Sequence, residues 1–223
     1  MLSLVWLRRV AILLCLFISF LLQSCGTTQN QTTQNLSEDL RSNINWRYAP
    51  QAIMFEAQTN PRLNHYADQA HSIALVIIQV ADASVFYRLL SDPARLTNTV
   101  QFGSYAEGFL QISRFVLEPD SHLSFALDRI KSAQYIGVVA AYYGVPISNT
   151  ARLLALPVKV TENGFLSKQY QAQPIRAKVY LQLGENVIEN AEIMPMPSDV
   201  PFQFISGKKL NQLIELDNTD TGF

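Results

Sequence analysis

The chain has 223 residues, 48% of them hydrophobic, with 17 Lys and Arg against 18 Asp and Glu and a formal net charge of −1. This balance supplies no long-range positive field, so nucleic acid and anionic lipid are disfavoured as partners on charge alone. The length suffices for one ordinary hydrophobic core with appendages, and 2 cysteines cannot build the disulfide framework of a small secreted domain.

The first elements are those of an export signal. Arg8 and Arg9 precede the apolar run Val10–Leu22, which is shorter than the ~20 residues of a transmembrane helix. The run ends in Leu22-Gln23-Ser24-Cys25, which resembles a lipobox. Its leucine, its small residue and the cysteine that bacteria lipidate, cleaving in front of it, stand in register. Residues 1–24 are therefore expected to be a lipoprotein signal peptide, and Cys25 the lipidation site. Cys15 follows bulky Leu14 inside the run and reads as filler. Cleavage would remove Cys15 and lipid would occupy Cys25, so neither a disulfide nor a Cys-based metal site is expected in the mature chain. Each buried methylene contributes about 0.8 kcal/mol and one acyl chain binds only marginally, so a stable anchor implies more than one. Residues 25–45 then read as a tether, because Gly26–Asn45 is Gln-, Asn- and Thr-rich and has almost nothing to bury. A flexible coil of about 20 residues spans roughly 25 Å.

From Trp46 on, short strand-like runs alternate with turns. Ala52–Ala57 is a first strand, and the polar stretch Gln58–His71, containing Asn60-Pro61, is a loop. Ile73–Val80 is apolar on both faces, as in a central strand covered on both sides. Ser84–Leu90 predicts a short helix stopped near Pro93. Phe115–Leu127 predicts a hairpin turning at Glu118-Pro119-Asp120-Ser121. Tyr135–Tyr143 is a second two-sided strand, whose Gly137, Ala140 and Ala141 imply close packing on a neighbour. Arg152–Val160 reads as one strand before the turn signal Asn163-Gly164. Ile175–Leu183 alternates apolar and polar, turns at Gly184-Glu185-Asn186, and returns as Val187–Ile193.

The expectation is an all-β chain: a two-sheet β-sandwich with a short helical insertion over residues 46–195, burying Phe125, Val138, Val179 and Leu181. Residues 196–223 form a C-terminal extension with an amphipathic patch at Leu210, Leu213 and Ile214.

Catalytic constellations are missing. The spacing of His65 and His71 fits no zinc motif, and a solvated loop explains the pair better. His122 adjoins the hairpin turn, and the carboxylates Glu118 and Asp120 sit on the turn itself. The glycines of Phe102–Gly108 fit a connection rather than a phosphate cradle. No enzyme, metal or cofactor is expected beyond the covalent lipid.

Three blocks resemble the TssJ family (also VasD or SciN), the outer-membrane lipoproteins of type VI secretion systems. They are Ala57-Gln58-Thr59-Asn60-Pro61, then Ile73–Phe86, and most specifically Phe115–Gly144 with its hairpin and its GVVAAYY strand. The chain departs from the family at Ile78, where tyrosine is usual, and at Asp120, where glycine is common. It also lacks a tryptophan before Arg152 and is longer after Pro157.

The resemblance implies a transthyretin-like β-sandwich at the periplasmic face of the outer membrane. It would bind the periplasmic C-terminal domain of the inner-membrane protein TssM. Gly26, rather than Asp, follows the cysteine, in keeping with outer-membrane sorting. The family's binding loop falls at Gln58–His71, giving Asn60, Pro61, Arg62, Leu63, His65 and Tyr66 as partner contacts. On this reading the loop is surface alone and can be replaced by a short turn without loss of the fold. The competing expectation is a periplasmic small-ligand-binding lipoprotein, which should show a continuous internal pocket lined by strand residues. A tether should instead show a packed core and a prominent loop after the first strand.

Overall fold

The computed structural model of the chain describes residues 41, 43–164 and 169–197. The chain divides into two units, Met1–Asn43 and Ile44–Phe223. Of the first, only Arg41 and Asn43 are described, so the signal peptide, Cys25 and most of the tether lie outside the described residues. So does the patch at Leu210, Leu213 and Ile214.

The second unit is a β-sandwich. Its strands are β1 (Ala49–Thr59), β2 (Ile73–Val80), β3 (Phe109–Leu117), β4 (His122–Arg129), β5 (Tyr135–Ala140), β6 (Ala151–Ala155), β7 (Val158–Asn163), β8 (Gln169–Pro174), β9 (Arg176–Leu183) and β10 (Ile188–Met196). One sheet has the order β10-β9-β1-β4 and the other β3-β2-β5-β6. β1 lies parallel to β9 and antiparallel to β4. The inward positions alternate, and Ile53, Phe55, Ala57, Leu75, Ile77, Val138, Val179 and Leu181 meet in one core. Phe125 fits between Phe55, stacked at 5.1 Å, and Phe115, tilted at 4.2 Å. The expected core residues are therefore buried, and side chains fill the space between the sheets.

The outer faces of β2 and β5 are covered by the helical insertion, α1 (Ala83–Leu90) and α2 (Pro93–Phe102). Val76, Ile78, Val80 and Val139 pack there against Phe86, Leu89, Leu96 and Val100. This second core is why both strands read as apolar on both faces. Gly137 lets the insertion approach: a Cβ at this position would lie 2.2 Å from the Phe86 ring. Pro93 does more than stop a helix. Asp82 caps α1, and Asp92 caps a second helix that Pro93 begins as its first residue, where a missing N–H costs nothing. Gly103 closes that helix at φ 65.

The structure corrects one strand. Arg152–Val160 is not continuous but breaks at Leu156-Pro157 into β6 and β7. Pro157 has no N–H for the ladder, and buried Leu156 ties back through its own N–H to the Gln134 carbonyl at 2.8 Å. The chain then leaves the sandwich as a separate hairpin of β7 and β8.

Candidate protein-docking site

The register sets which loops share an end of the sandwich. Thr59 pairs with Leu183, Gln58 with His122, and Leu75 with Ala140. The β1–β2, β3–β4, β5–β6 and β9–β10 connections therefore gather at the end where β1 finishes.

Asn60 organises this end. Its N–H donates to the Leu183 carbonyl at 2.8 Å, and its own carbonyl accepts from Leu63 N–H at 2.9 Å and Asp120 N–H at 3.3 Å. Its side-chain oxygen accepts from Arg62 N–H at 2.8 Å. Pro61 occupies the second position of the resulting turn, where its fixed φ is favourable. The preceding Thr59 hydroxyl donates to the Glu118 carbonyl at 2.7 Å and accepts from Ser121 N–H at 2.8 Å, locking the β3–β4 turn to the same corner.

The loop then folds on itself. Tyr66 and Gln69 exchange backbone hydrogen bonds of 3.0 and 3.1 Å around Ala67 and Asp68, both at positive φ. Asn64 is buried: its amide donates to the Ser72 carbonyl at 3.1 Å, and its oxygen accepts from Tyr143 N–H at 2.6 Å. The Tyr66 ring is stacked by His71 at 3.7 Å and by Tyr143 at 4.1 Å. His71 Nε2 also reaches the Tyr66 carbonyl at 3.2 Å. Arg62 pairs with Glu185 at 3.0 Å, and His65 lies 3.6 Å from the same carboxylate.

Five of the six expected contact residues are thus placed where a partner can reach them at least in part. Pro61 and Arg62 are exposed, and Asn60, His65 and Tyr66 are half-buried. Leu63 is a correction. Its side chain is fully buried and belongs to the inter-sheet core, so it fastens the loop and cannot meet a partner. The loop itself runs from Asn60 to Ser72, since Gln58 and Thr59 belong to β1. With Thr59, Leu63 and Asn64 buried, replacing Gln58–His71 would also damage the fold.

Tyr143 and Glu185 complete the surface and escaped the sequence reading. Parity is a signal for the first. β5 ends at Ala140, but the alternation of the sequence runs on: Tyr142 is buried and donates to the Val187 carbonyl at 2.8 Å, and its neighbour Tyr143 is exposed. Burial, helped by the Glu189 charge, pushes the Tyr142 hydroxyl pKa up, keeping it a neutral donor. No sequence pattern joins Glu185 to Arg62.

The histidines go to different partners: His65 to Glu185, His71 to Tyr66, and His122 to Glu56 at 3.1 Å. What this end offers is a rigid, mixed aromatic and charged surface carried on loops of a packed sandwich. That is the anatomy of a protein-binding module.

A family model described as "Type VI secretion lipoprotein, VasD, EvfM, TssJ" matches residues 51–186. The chain belongs to this family. Among solved structures, it is similar to the T6SS lipoprotein TssJ1 from Pseudomonas aeruginosa, at 19% identity and TM-score 0.46, over 67% of this chain and 100% of that one. It is similar to the membrane-bound type VI component Lip of Serratia marcescens, at 16% identity and TM-score 0.44, over 66% and 97%. A structure described as the T6SS protein TssM C-terminal domain from EAEC aligns at 14% identity and TM-score 0.44, over 65% and 98%. No curated protein matches the chain.

Proposed function

We propose that this type VI secretion lipoprotein anchors the membrane complex to the outer membrane. Lipid on Cys25 would hold it there, while its loop end binds the periplasmic C-terminal domain of TssM. The observation that carries the docking surface is the Tyr66 ring held between His71 and Tyr143 on a loop whose base is in the core. An aromatic anchor fixed before binding loses little side-chain entropy on association, and this favours affinity. The Arg62–Glu185 pair is a solvent-exposed bridge, worth about 0–1 kcal/mol, so it can exchange partners cheaply. The partner's identity comes from the family resemblance. The anchor comes from the lipobox.

Pull-down against the TssM periplasmic domain tests the surface. Tyr66→Ala and Tyr143→Ala are each expected to weaken binding by about 2 kcal/mol or more, roughly thirtyfold, with the circular dichroism unchanged. Binding within about threefold of wild type in both variants would move the contact elsewhere. Cys25→Ser is expected to release the protein from outer-membrane fractions into the soluble periplasm. Flotation with membranes that persists in high salt would place the anchor in another residue.

A further inference from the structure

The opposite end of the sandwich carries charge of a different kind. β1 begins there, and its Ala49 and Ala52 help line an open groove of about 620 Å³. Arg129, Lys159 and Arg176 also line it, brought together from β4, β7 and β9. Among the described residues no acidic side chain lines the groove.

Arg129 is the unusual member. Only 6% of it is exposed, yet among the described residues its guanidinium is hydrogen-bonded to carbonyls and to no carboxylate. It reaches the Ile175 and Arg47 carbonyls, each at 3.4 Å, and faces the Trp46 ring at 5.9 Å. Its Nε has no hydrogen-bond partner. Burial pushes its pKa down. Buried charges are ordinarily paired, because an unpaired one lacks a counter-charge in a poorly hydrated setting. A groove open to solvent beside it, with Lys159 and Arg176 on its walls, is where the missing anion fits.

We propose that this groove binds a phosphate group presented as the headgroup of an anionic lipid. The Arg129 Nη groups donate to the Ile175 and Arg47 carbonyls through one N–H each and keep further N–H groups for phosphate oxygens, while Lys159 and Arg176 add positive charge to the walls. The groove's apolar walls, Ala52, Pro195 and Met196, suit the glycerol and upper acyl region beside such a phosphate. Its position singles out the lipid source. The described chain enters the sandwich at this end, so a lipid on Cys25, on the N-terminal side of β1, would tie this end of the chain to a membrane. Linkage of that kind raises the local headgroup concentration greatly. This step rests on the proposed anchor at Cys25. The overall charge of −1 hides the site, because the three cations are far apart in the chain.

The test uses the mature chain carrying Cys25→Ser, so that no lipid of its own drives binding. Cosedimentation with phosphatidylcholine vesicles is compared with vesicles that also contain phosphatidylglycerol. Binding to the anionic vesicles alone is expected, weakening at high salt. Lys159→Glu and Arg176→Glu, both more exposed than Arg129 and checked for folding by circular dichroism, should each reduce it by about fivefold to tenfold. Equal binding to both vesicles, or anionic binding that neither reversal weakens, overturns the proposal. So does saturable binding of inorganic phosphate without a preference for anionic vesicles, which would make free phosphate the ligand. Fractionation of cells making the wild-type chain tests Cys25 separately. Loss of the anchor there, with vesicle preference retained here, would sink the lipoprotein reading and leave the groove standing.

Discussion

Two of the excursions from the sandwich invert the usual relation between regularity and order. The β1–β2 loop, Asn60–Ser72, has almost no repeating structure, yet it buries Leu63 and Asn64 completely or nearly so. The β7–β8 hairpin is a regular antiparallel ladder from Val158↔Pro174 to Asn163↔Gln169, yet none of its described residues is buried. A two-stranded ribbon without a covered face is marginal in water. The irregular loop gains what the ribbon lacks, apolar burial, and it too finds internal partners for its polar backbone. The loop should therefore open only with much of the global stability, and the hairpin at far lower cost. For a binding surface this matters, because a loop ordered in advance saves the entropy of ordering it at the moment of association.

The strongest way to break the comparison is to unfasten the loop. Leu63→Ala removes a side chain from the inter-sheet core and should cost about 2–5 kcal/mol in urea unfolding. Asn64→Ala should cost about 1–3 kcal/mol, since it leaves the Tyr143 N–H and the Ser72 carbonyl without their side-chain partner. A cost below about 0.5 kcal/mol for both would mean that the loop is merely laid on the surface.

This contrast also marks where the sequence could be read and where it could not. Period-2 alternation placed β9 and the β3–β4 hairpin. The two-sided apolar character of β2 correctly implied a second cover, and Gly137 marked the spot where Phe86 would press. Leu63 was misjudged because a lone leucine in a polar, aperiodic stretch carries no facing information. Its burial follows from the turn at Asn60, a tertiary fact. Gln79 shows the same limit: within an apolar strand it is buried and bonded to Gln111 and to the Asp128 carbonyl, bridging strands that only the fold brings together. The groove cations stand in three different strands and follow no spacing rule.

A contact in the middle of a sheet sets the scale between these extremes. Glu56 of β1 is ion-paired with Lys178 and hydrogen-bonded to His122 at 3.1 Å. The Lys178 hydrogen bond, opposed by burial and aided by the Lys178 and His122 charges, holds the Glu56 carboxyl below its ordinary pKa. The native state therefore binds this proton less readily than the unfolded chain. The stabilisation is fully present above the unfolded pKa and is lost as pH falls through the lower, native one. Glu56→Gln should cost about 1 kcal/mol or less at neutral pH, because Lys178 is part-exposed, and the difference from wild type should vanish in acid. A penalty unchanged across that acid range would assign the effect to packing rather than to charge.

The smallest expected effect is the most diagnostic for the hairpin. Tyr170 stands opposite Glu162, and Val160 opposite Ala172, on one face of the ribbon. They remain 37% and 40% exposed, so truncation removes little buried area and leaves no cavity. Tyr170→Ala should change stability by no more than about 0.5 kcal/mol, the ordinary range for a surface position. Amides of β7 and β8 should exchange much faster than those of His71 and Leu63, whose N–H groups donate to the Leu63 and Asn60 carbonyls. If Tyr170→Ala instead costs more than about 1 kcal/mol, or if the hairpin amides exchange as slowly as the loop's, the ribbon must be covered in solution. The comparison would then fail at its second term, because the hairpin's order, like the loop's, would come from burial against something that the described residues do not include.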